Sequence, residues 1–516
     1  MNRTGISGML RSLTALPLVA IAAACGGGPA APAAPAPEPG AASAAATITA
    51  TDMGRHIGAL AHDSMRGRDT PSPELEKAAT YLAGQFEAMG LEPAGDDGGY
   101  IHRWEYERSR LASEETVVRV KAGGPSPRYE HDFFLVPGMQ ESTEATAFYA
   151  GVAGETGALP AEARGTFVVI DHPLAEVDQE WQQKLMQALQ PVMMGGAAGM
   201  LLVLHPEFPA EMMASLAEAT ASQQAPFPIV GITDEAARQL IASAGEDLDV
   251  LREAGEGSVL GSTVFEITSR TVDDAHTPPN VVAMIRGSDP TLRDSYVVVT
   301  AHFDHVGVGA ADETGDTIFN GADDDASGTA AVLEIAEAFA SLPEPPARSV
   351  VFLAVSGEEK GLLGSMAWVE SPTVPLDGIV ANINMDMIGR NAPDTVIGIG
   401  QEYSSLEGVL QQIQQERSDI GLEVILDPEP EEMFFFRSDQ LPFIQRGIPA
   451  VFFTTGDHED YHRQSDEPET IDADKAARVA RLAFHLAHAI AIDPEDPEWT
   501  EDGWSEVQQM LQQSPF

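Results

Sequence analysis

The chain has 516 residues, of which 43% are hydrophobic and 21% are charged, a balance typical of folded proteins that excludes wholesale disorder. Its length allows two or three domains. The 29 Lys and Arg against 80 Asp and Glu give a formal net charge of −51. Such a charge argues against a nucleic-acid partner, because phosphates would be repelled.

The first 25 residues predict an exported protein. Two arginines precede an apolar run over residues 13–24, which is too short to span a bilayer and is typical of a secretory signal. The run ends in three alanines before Cys25, which resembles a bacterial lipobox, whose cysteine becomes the lipidated first residue. Gly26 favours the outer membrane, by resemblance to known lipoproteins. We expect a periplasmic or surface-exposed protein whose membrane contact is made only through lipidated Cys25; an ordinary signal peptide containing a cysteine is the alternative.

Composition divides the rest of the chain. A Pro-, Ala- and Gly-rich stretch predicts a semi-extended tether. Later, strand-like runs alternate with one or two helices without any acid–histidine cluster, which predicts an inserted domain with a packing or substrate-covering role. Apolar strands then alternate regularly with helices, which predicts an α/β fold whose mostly parallel sheet is sandwiched by helices. The predicted segments are a lipoprotein signal peptide (1–25), a tether (26–50), the first part of the main domain (51–112), the inserted domain (113–270), the rest of the main domain (271–492) and an acidic tail (493–516).

Acids and histidines follow four separate strands of the main domain, and a run of three aspartates precedes one of its helices. In open α/β sheets, ligands bind outside the carboxyl ends of the strands, so these side chains are expected at one edge of the sheet. A single acid after a strand is often only a helix cap, but four such positions together indicate a site. The residues are His302, Asp304, Asp323, Asp324, Asp325, Glu358, Glu359, Asp386 and His462.

This donor set indicates metal ions. Histidine and carboxylate ligands without a thiolate suit zinc, with cobalt or manganese as substitutes. The ligands outnumber those that one tetrahedral ion needs, which favours two ions about 3.5–4 Å apart that share a carboxylate of the aspartate run. Adjacent side chains diverge, so one of Glu358 and Glu359 can bind metal while the other acts as general base. Asp304 lies two residues from His302 and can orient its imidazole.

Several segments carry a family resemblance: AHFDHVG, NGADDDASGTAAVLEIA, SGEEKGLLGS, NMDMIGR, RSDQLPFIQRGIPAVFF and HEDYHRQSDEPE. They resemble the co-catalytic di-zinc aminopeptidases of the bacterial leucyl aminopeptidase, aminopeptidase S and aminopeptidase Y type. The resemblance covers nearly all of residues 55–490. It implies a zinc-exopeptidase, phosphorylase/hydrolase-like fold, with the inserted block similar to that family's smaller α/β protease-associated domain.

The resemblance also implies a ligand set. One zinc ion would be held by His302, Asp324 and Asp386. The other would be held by Asp324, Glu359 and His462, so that Asp324 bridges the two ions. The partners implied are peptide substrates, and the sequence sets no oligomeric state.

The same resemblance implies the catalytic roles. Glu358 would activate a metal-bridged water as general base, Asp304 would orient His302, and Tyr461 would donate to the tetrahedral oxyanion. One departure is visible, because many relatives have His where this chain has Gln440, which we place at the pocket rim as a determinant of substrate preference. The expectation is an aminopeptidase that releases N-terminal residues from peptides.

Other interpretations stay open from the sequence. HEDYH, residues 458–462, fits the H-E-x-x-H signature of single-zinc proteases, but its Gly- and Pro-containing flanks do not predict the required helix. His485 and His488 have ligand-like spacing in a closing helix without an acidic partner, which favours packing or surface roles. A carboxypeptidase or a glutaminyl cyclase on the same fold, or a binding module with an inactive site, are the functional alternatives.

Overall fold

The structure is a computed structural model that describes residues 39–175, 179–209, 212–221, 223–255, 257–309, 311–312 and 314–513. The predicted signal peptide and the first part of the predicted tether lie outside the described residues. No helix in the described part of the chain is long and apolar enough to cross a membrane.

The described residues form twenty strands and thirteen α-helices. The strands are β1 (Glu92–Pro93), β2 (Ile101–Arg103), β3 (Tyr106–Leu111), β4 (Val117–Val120), β5 (Phe133–Val136), β6 (Ser142–Val152), β7 (Phe167–Asp171), β8 (Gly199–Val203), β9 (Ile229–Ile232), β10 (Ser258–Thr268), β11 (Thr271–His276), β12 (Pro279–Ile285), β13 (Tyr296–His302), β14 (Gly307–Val308), β15 (Ile318–Phe319), β16 (Ser349–Val355), β17 (Ile379–Met385), β18 (Thr395–Ile399), β19 (Glu423–Ile425) and β20 (Ala450–Thr454). The helices are α1 (Pro39–Ala45), α2 (Ala50–Leu60), α3 (Pro73–Ala88), α4 (Gln179–Gly195), α5 (Met212–Ala221), α6 (Asp234–Ser243), α7 (Leu248–Ala254), α8 (Gly328–Ala340), α9 (Leu363–Glu370), α10 (Leu406–Glu416), α11 (Leu441–Gln445), α12 (Ala473–Ile492) and α13 (Glu501–Gln513).

The main sheet has four parallel strands at its centre, in the order β16-β13-β17-β20. Every residue of β13 and of β16 is buried, which explains their continuous apolar sequences, since helices cover both faces of such a sheet. Towards the edges, β12 runs antiparallel to β16 and β18 antiparallel to β20. The prediction of an α/β fold with a mostly parallel mixed sheet is confirmed.

A second sheet of seven described strands lies between Val117 and Thr268 and has its own apolar core. Strands β6, β7, β8 and β9 are parallel neighbours in this sheet. The antiparallel pair β3 and β11 connects it to the main domain in sequence. Three of the predicted strand-like runs correspond to β7, β8 and β9, and one of the predicted helices corresponds to α4 between the first two strands.

The prediction of a tether up to residue 50 is wrong from Pro39 onward. Helix α1 is formed there, and Ala41, Ala44 and Ala45 are buried in the main core together with Ile48. Alanine has the highest helix propensity and is small enough for close packing against other helices, so an Ala-rich stretch suits a helix as well as a linker. The contacts of α1 are with α8 and α12.

The predicted acidic tail is helical as well. Trp504, Val507, Met510 and Leu511 recur at helical spacing on α13, and this apolar stripe packs into a core cluster in which Val507 is fully buried. Glu501, Asp502 and Glu506 of α13 are exposed, whereas the acidic residues between 493 and 498 precede the helix.

His485 and His488 are buried packing residues of α12, as predicted, and His485 gives a prediction of pH dependence. Burial lowers the pKa of His485 to about 4, and its Nε2 lies 2.7 Å from Nη1 of Arg417, which donates to it. In the unfolded chain His485 is protonated below its ordinary pKa of about 6.5. In the native state it stays neutral until the pH falls to about 4. The native state should therefore lose about 2–3 kcal/mol of stability through this group as the pH falls from 6.5 to 4.5.

Urea denaturation of the wild type and His485→Gln at both pH values measures this effect. The variant should show a smaller loss of stability on acidification, because glutamine accepts from Arg417 without titrating. The exposed His131→Gln variant is the control and should keep the wild-type slope. Equal slopes for the wild type and His485→Gln would contradict the assignment.

Candidate active site

The four central strands deliver the predicted residues to one edge of the main sheet. β13 ends at His302, Asp386 directly follows β17, and Glu358 lies three residues beyond the end of β16. His462 lies in a turn after β20, with a left-handed backbone (φ 54°) that is uncommon outside glycine. Because the strands are parallel, all of these side chains converge beyond their carboxyl ends.

The aspartate run forms a tight turn before α8, and its three side chains have different partners. Asp323 Oδ1 accepts from the Gly389 amide at 2.6 Å, and Asp325 Oδ1 accepts from the Gly328 amide at 2.8 Å. Asp324 instead faces the histidines at the centre of the site. This arrangement explains why the second aspartate, and not the first, occupies the central position.

The five predicted ligands form two groups that share Asp324. His302 Nε2 lies 3.2 Å from Asp324 Oδ1 and 3.5 Å from Asp386 Oδ1. His462 Nε2 lies 3.1 Å from Asp324 Oδ2 and 3.1 Å from Glu359 Oε2. The two oxygens of Asp324 thus face different groups, as a bridging carboxylate requires.

The positions and the chemistry of these donor atoms are suited to zinc. Among the described residues, Asp325 Oδ2 and Asp386 Oδ1 are buried and have no hydrogen-bond partner. Histidine and carboxylate atoms within 4.8 Å of one another form two groups, one with His305, Asp324, Glu359 and His462, and one with His302, Asp325 and Asp386. Imidazole nitrogen and carboxylate oxygen are typical zinc ligands, so the residues present could hold two such ions.

The electrostatics of the site reflect its burial. Burial by itself lowers the pKa of His302, but the Asp386 and Glu358 carboxylates raise it well above its usual range. Burial raises the pKa of Asp324, but the adjacent His305 and His302 hold it well below its usual range. A buried carboxylate kept ionised in this way is suited to binding a cation.

Two residues of these groups were missed by the sequence analysis. His305 is fully buried, and its Nδ1 lies 2.7 Å from Glu359 Oε1 and 3.6 Å from Asp324 Oδ2. The signal was present, because His305 ends the same His-x-Asp-His motif that begins with His302. Asp325 was part of the aspartate run but had been given no role of its own.

A pocket opens over the site, and its lining residues include Glu358, Tyr461, Asp324, Asp386 and Asp457. Burial, partly offset by His302, leaves the pKa of Glu358 well above its usual range. The Tyr461 ring stacks on His462, with ring centres 4.0 Å apart. The remaining wall is mainly apolar and aromatic, with Met387, Phe434, Phe452, Thr454 and Arg437.

Asp304 is placed differently from the expectation. Its carboxylate Oδ1 lies 3.7 Å from His302 Nδ1, which is too long for a hydrogen bond, and the Asp304 main-chain carbonyl lies closer, at 3.3 Å. The carboxylate accepts instead from the Thr70 hydroxyl at 2.8 Å and from the Gly357 amide at 2.7 Å. Asp304 therefore ties His302 to the loop that carries Glu358.

The prediction that Gln440 lies at the pocket rim is wrong. Gln440 is buried, its Oε1 accepts from Asn384 Nδ2 at 3.1 Å, and its Nε2 donates to the Phe435 carbonyl. Asn384 also donates to Ser438, whose hydroxyl donates to Asp386 Oδ2 at 2.7 Å. Gln440 thus belongs to a hydrogen-bond chain behind Asp386, one of the predicted ligands.

The HEDYH segment is not helical. Residues 459–462 form a turn, so His458 and His462 do not share a helix face. His458 Nε2 lies 3.3 Å from Asp323 Oδ2, outside both ligand groups. The geometry of a single-zinc H-E-x-x-H site is absent from this segment.

Comparison with known proteins agrees with this site, because residues 280–487 match peptidase family M28. The match begins in β12 and ends in α12, and it contains all of the predicted ligands. The resemblance predicted from the sequence is confirmed for residues 280–487, which we call the M28 region.

Individual relatives of the M28 region point the same way. The chain is 38% identical over 111 residues to a probable zinc metalloprotease of Pyrenophora teres, covering 22% of this chain and 23% of that protein. It is 26% identical over 266 residues to aminopeptidase YwaD of Bacillus subtilis, covering 50% of each chain. The chain thus spans half or less of the length of these two relatives.

Solved structures extend the likeness to most of the chain. The aminopeptidase from Aneurinibacillus sp. strain AM-1 matches 88% of this chain and 98% of its own, with a TM-score of 0.51 and 19% identity. The zinc aminopeptidase BSAP from Bacillus subtilis matches 85% of this chain and 94% of its own, with a TM-score of 0.53 and 18% identity. At such identities the likeness shows that the fold is shared.

Proposed function

We propose that the protein is a zinc-dependent exopeptidase, most specifically an aminopeptidase that releases N-terminal residues from peptides. The observation that carries the proposal is the position of Asp324, whose two carboxylate oxygens face two separate ligand groups at the floor of one pocket. A glutamate outside both groups, Glu358, lines the same pocket. This combination suits hydrolysis of a bound amide.

The chain's residues divide the chemistry among them. Two zinc ions, when bound, supply Lewis-acid polarisation of the scissile carbonyl and lower the pKa of water. Glu358, which lines the pocket outside both ligand groups, would take the proton of the attacking water as general base and return it to the leaving amine. The Tyr461 hydroxyl, which lines the pocket, donates to the developing oxyanion.

The lining of the pocket favours a free amino terminus. Asp457 lines the pocket outside both ligand groups, so its carboxylate would remain available to attract an α-ammonium group once Asp324 and Asp386 hold metal. Arg437 also lines the pocket, but its guanidinium lies 4.8 Å from the Phe434 ring, where the aromatic face partly engages its charge. A carboxypeptidase or a glutaminyl cyclase on this fold is the alternative that the following assay separates.

Cleavage of aminoacyl nitroanilides by the full-length chain tests the proposal. Free-amine substrates should be hydrolysed, N-blocked ones should not, and a zinc chelator should abolish turnover until zinc is added back. Cleavage of peptides from the carboxyl end, or cyclisation of N-terminal glutamine, would replace the aminopeptidase by one of the alternatives. Zinc binding without turnover of any substrate would indicate a binding module.

The proposal extends to the place of action. The Ala-Ala-Ala-Cys25 pattern supports export and a lipid anchor at the cell envelope, where the substrates would be peptides. The second sheet, with its separate core, supports the role of an inserted, protease-associated-like domain that packs beside or covers the substrate. Globomycin-sensitive processing and radiolabelled palmitate incorporation, both lost in Cys25→Ser, would test the anchor.

A further inference from the structure

A short segment far upstream of the M28 region reaches into the site. Arg68 is fully buried, and its guanidinium donates to four main-chain carbonyls: Leu60 (2.8 Å), Phe303 (2.8 Å), Asn320 (2.7 Å) and Gly321 (3.0 Å). Phe303 lies between His302 and Asp304, whereas Gly321 lies three residues before Asp324. One side chain therefore joins the loop that carries the first histidine to the turn that carries the shared aspartate.

The two following residues contact the third ligand loop. Asp69 pairs with Lys360, the residue after Glu359, at 3.1 Å between Oδ1 and Nζ. The Thr70 hydroxyl donates to Asp304 Oδ2 at 2.8 Å and accepts from the Gly357 amide at 3.1 Å. Three consecutive residues thus contact the His302 loop, the Asp324 turn and the Glu358–Glu359 loop.

The backbone of this segment is held in an unusual form. Arg66, Gly67 and Arg68 all have positive φ values, of 45°, 68° and 51°. A side chain on Gly67 would meet the carbonyls of Gly307 and Phe319 at 2.4 Å, so the chain passes directly against the strands β14 and β15 that flank the site. Consecutive left-handed residues persist only where the surroundings determine them, and such strain is concentrated at functional sites.

The buried charged groups Arg68 and Asp304 also indicate that this segment connects the loops of the site. Burying a guanidinium costs free energy unless its N–H groups have hydrogen-bond acceptors. The N–H groups of Arg68 donate to four main-chain carbonyls. Asp304 likewise receives its hydrogen bonds from Thr70 and from the amides of Gly357 and Glu358 rather than from its neighbour His302. The segment therefore adds side-chain contacts between loops that Asp304 and the pairing of β13 with β16 also connect.

We propose that residues 68–70 are a positioning segment of the metal site, in which Thr70 sets the place of the Glu358–Glu359 loop relative to His302 through Asp304 and Gly357. This inference deepens the proposed function and rests on it. None of the three residues lines the pocket over the site or belongs to either ligand group. Their effect passes through the loops that they hold.

The test removes one hydroxyl and restores it. Thr70→Val has nearly the same shape but neither donates to Asp304 nor accepts from Gly357, whereas Thr70→Ser keeps both contacts. We expect Thr70→Val to weaken zinc binding about 10- to 100-fold, the loss typical of an outer-shell partner, and to lower kcat with KM changed less than about twofold. Thr70→Ser should restore zinc affinity and kcat to within a few-fold of the wild type.

Zinc affinity is measured by competition with a chromophoric chelator, without any substrate, and kcat and KM on a free-amine nitroanilide. Thr80→Val is the matched control, because the Thr80 hydroxyl donates to a carbonyl of its own helix α3 and is exposed. It should behave as the wild type in all three measurements. If Thr70→Val does not fold, as judged by thermal unfolding of the zinc-free protein, Thr70→Ala removes the same hydroxyl without the extra methyl.

Wild-type zinc affinity and kcat in folded Thr70→Val would overturn the inference, as would loss of both in Thr70→Ser. The zinc measurement also separates this inference from the proposed function. If the wild type binds zinc but cleaves no peptide, the aminopeptidase proposal fails, and the affinities of the Thr70 variants still decide the positioning role.

Discussion

Glu358→Gln should keep its zinc and lose its turnover. The amide has the size of the carboxylate but cannot take up a proton, and Glu358 stands outside both ligand groups while lining the pocket. We expect kcat to fall by about 10²- to 10⁴-fold, the range that general acid–base catalysis contributes. KM should change little, because the lost interaction is made in the transition state.

Zinc content by elemental analysis and kcat on a free-amine nitroanilide check this result. Glu370→Gln removes an equal charge from the exposed end of α9 and should match the wild type. A Glu358→Gln enzyme with near-normal kcat would remove Glu358 from the role of general base. Loss of zinc together with activity would instead make Glu358 a ligand.

Asp324→Asn should affect both metal positions at once. Its two oxygens face His302 on one side and His462 on the other, so the neutral amide weakens both groups and offers only one good donor atom. We expect zinc affinity to fall by more than the roughly 100-fold that outer-shell changes reach, and turnover to fall to background. Titration with zinc at fixed chelator concentration measures the stoichiometry and affinity.

The number of zinc ions that each variant still binds distinguishes a bridging carboxylate from an ordinary ligand. Asp386→Asn, which alters only one group, should retain one tighter zinc position, whereas Asp324→Asn should retain none. The exposed Asp377→Asn should keep both. An Asp324→Asn protein that binds two zinc ions with wild-type affinity would falsify the bridging assignment.

The alternation of apolar strands and helices was sufficient to predict the main fold. β13 and β16 are buried on both faces, and only a continuous apolar sequence satisfies that environment. Strand direction at the edges was not predictable, because an antiparallel strand such as β12 has the same composition as its parallel neighbours. Helix α1 was missed because alanine, proline and glycine suit a linker and a tightly packed helix alike, and only the tertiary contacts distinguish them.

In the site, too, some residues could be predicted from the sequence and others could not. Strand ends brought the predicted ligands to one edge, so His302, Asp324 and Asp386 could be found from sequence order alone. Thr70 could not be found, because it lies more than two hundred residues from Asp304 and its hydroxyl carries no local signal. Gln440 was wrongly predicted at the pocket rim for a similar reason. The motif shows that Gln440 lies near the site, but it does not show whether its side chain is buried or exposed.

Helix α1 packs at the end of α8 that lies away from the predicted ligands. Gly40 packs against Pro343, just beyond the end of α8, whereas α8 begins beside the aspartate turn at the opposite end of the sheet. A helix of 13 residues is about 20 Å long, so the chain joins the folded body about that far from the zinc ligands, on the far side of the domain. The proposed anchor at Cys25 would thus reach the folded body at the end opposite the predicted ligands, and the attachment would leave the cleft open to peptides.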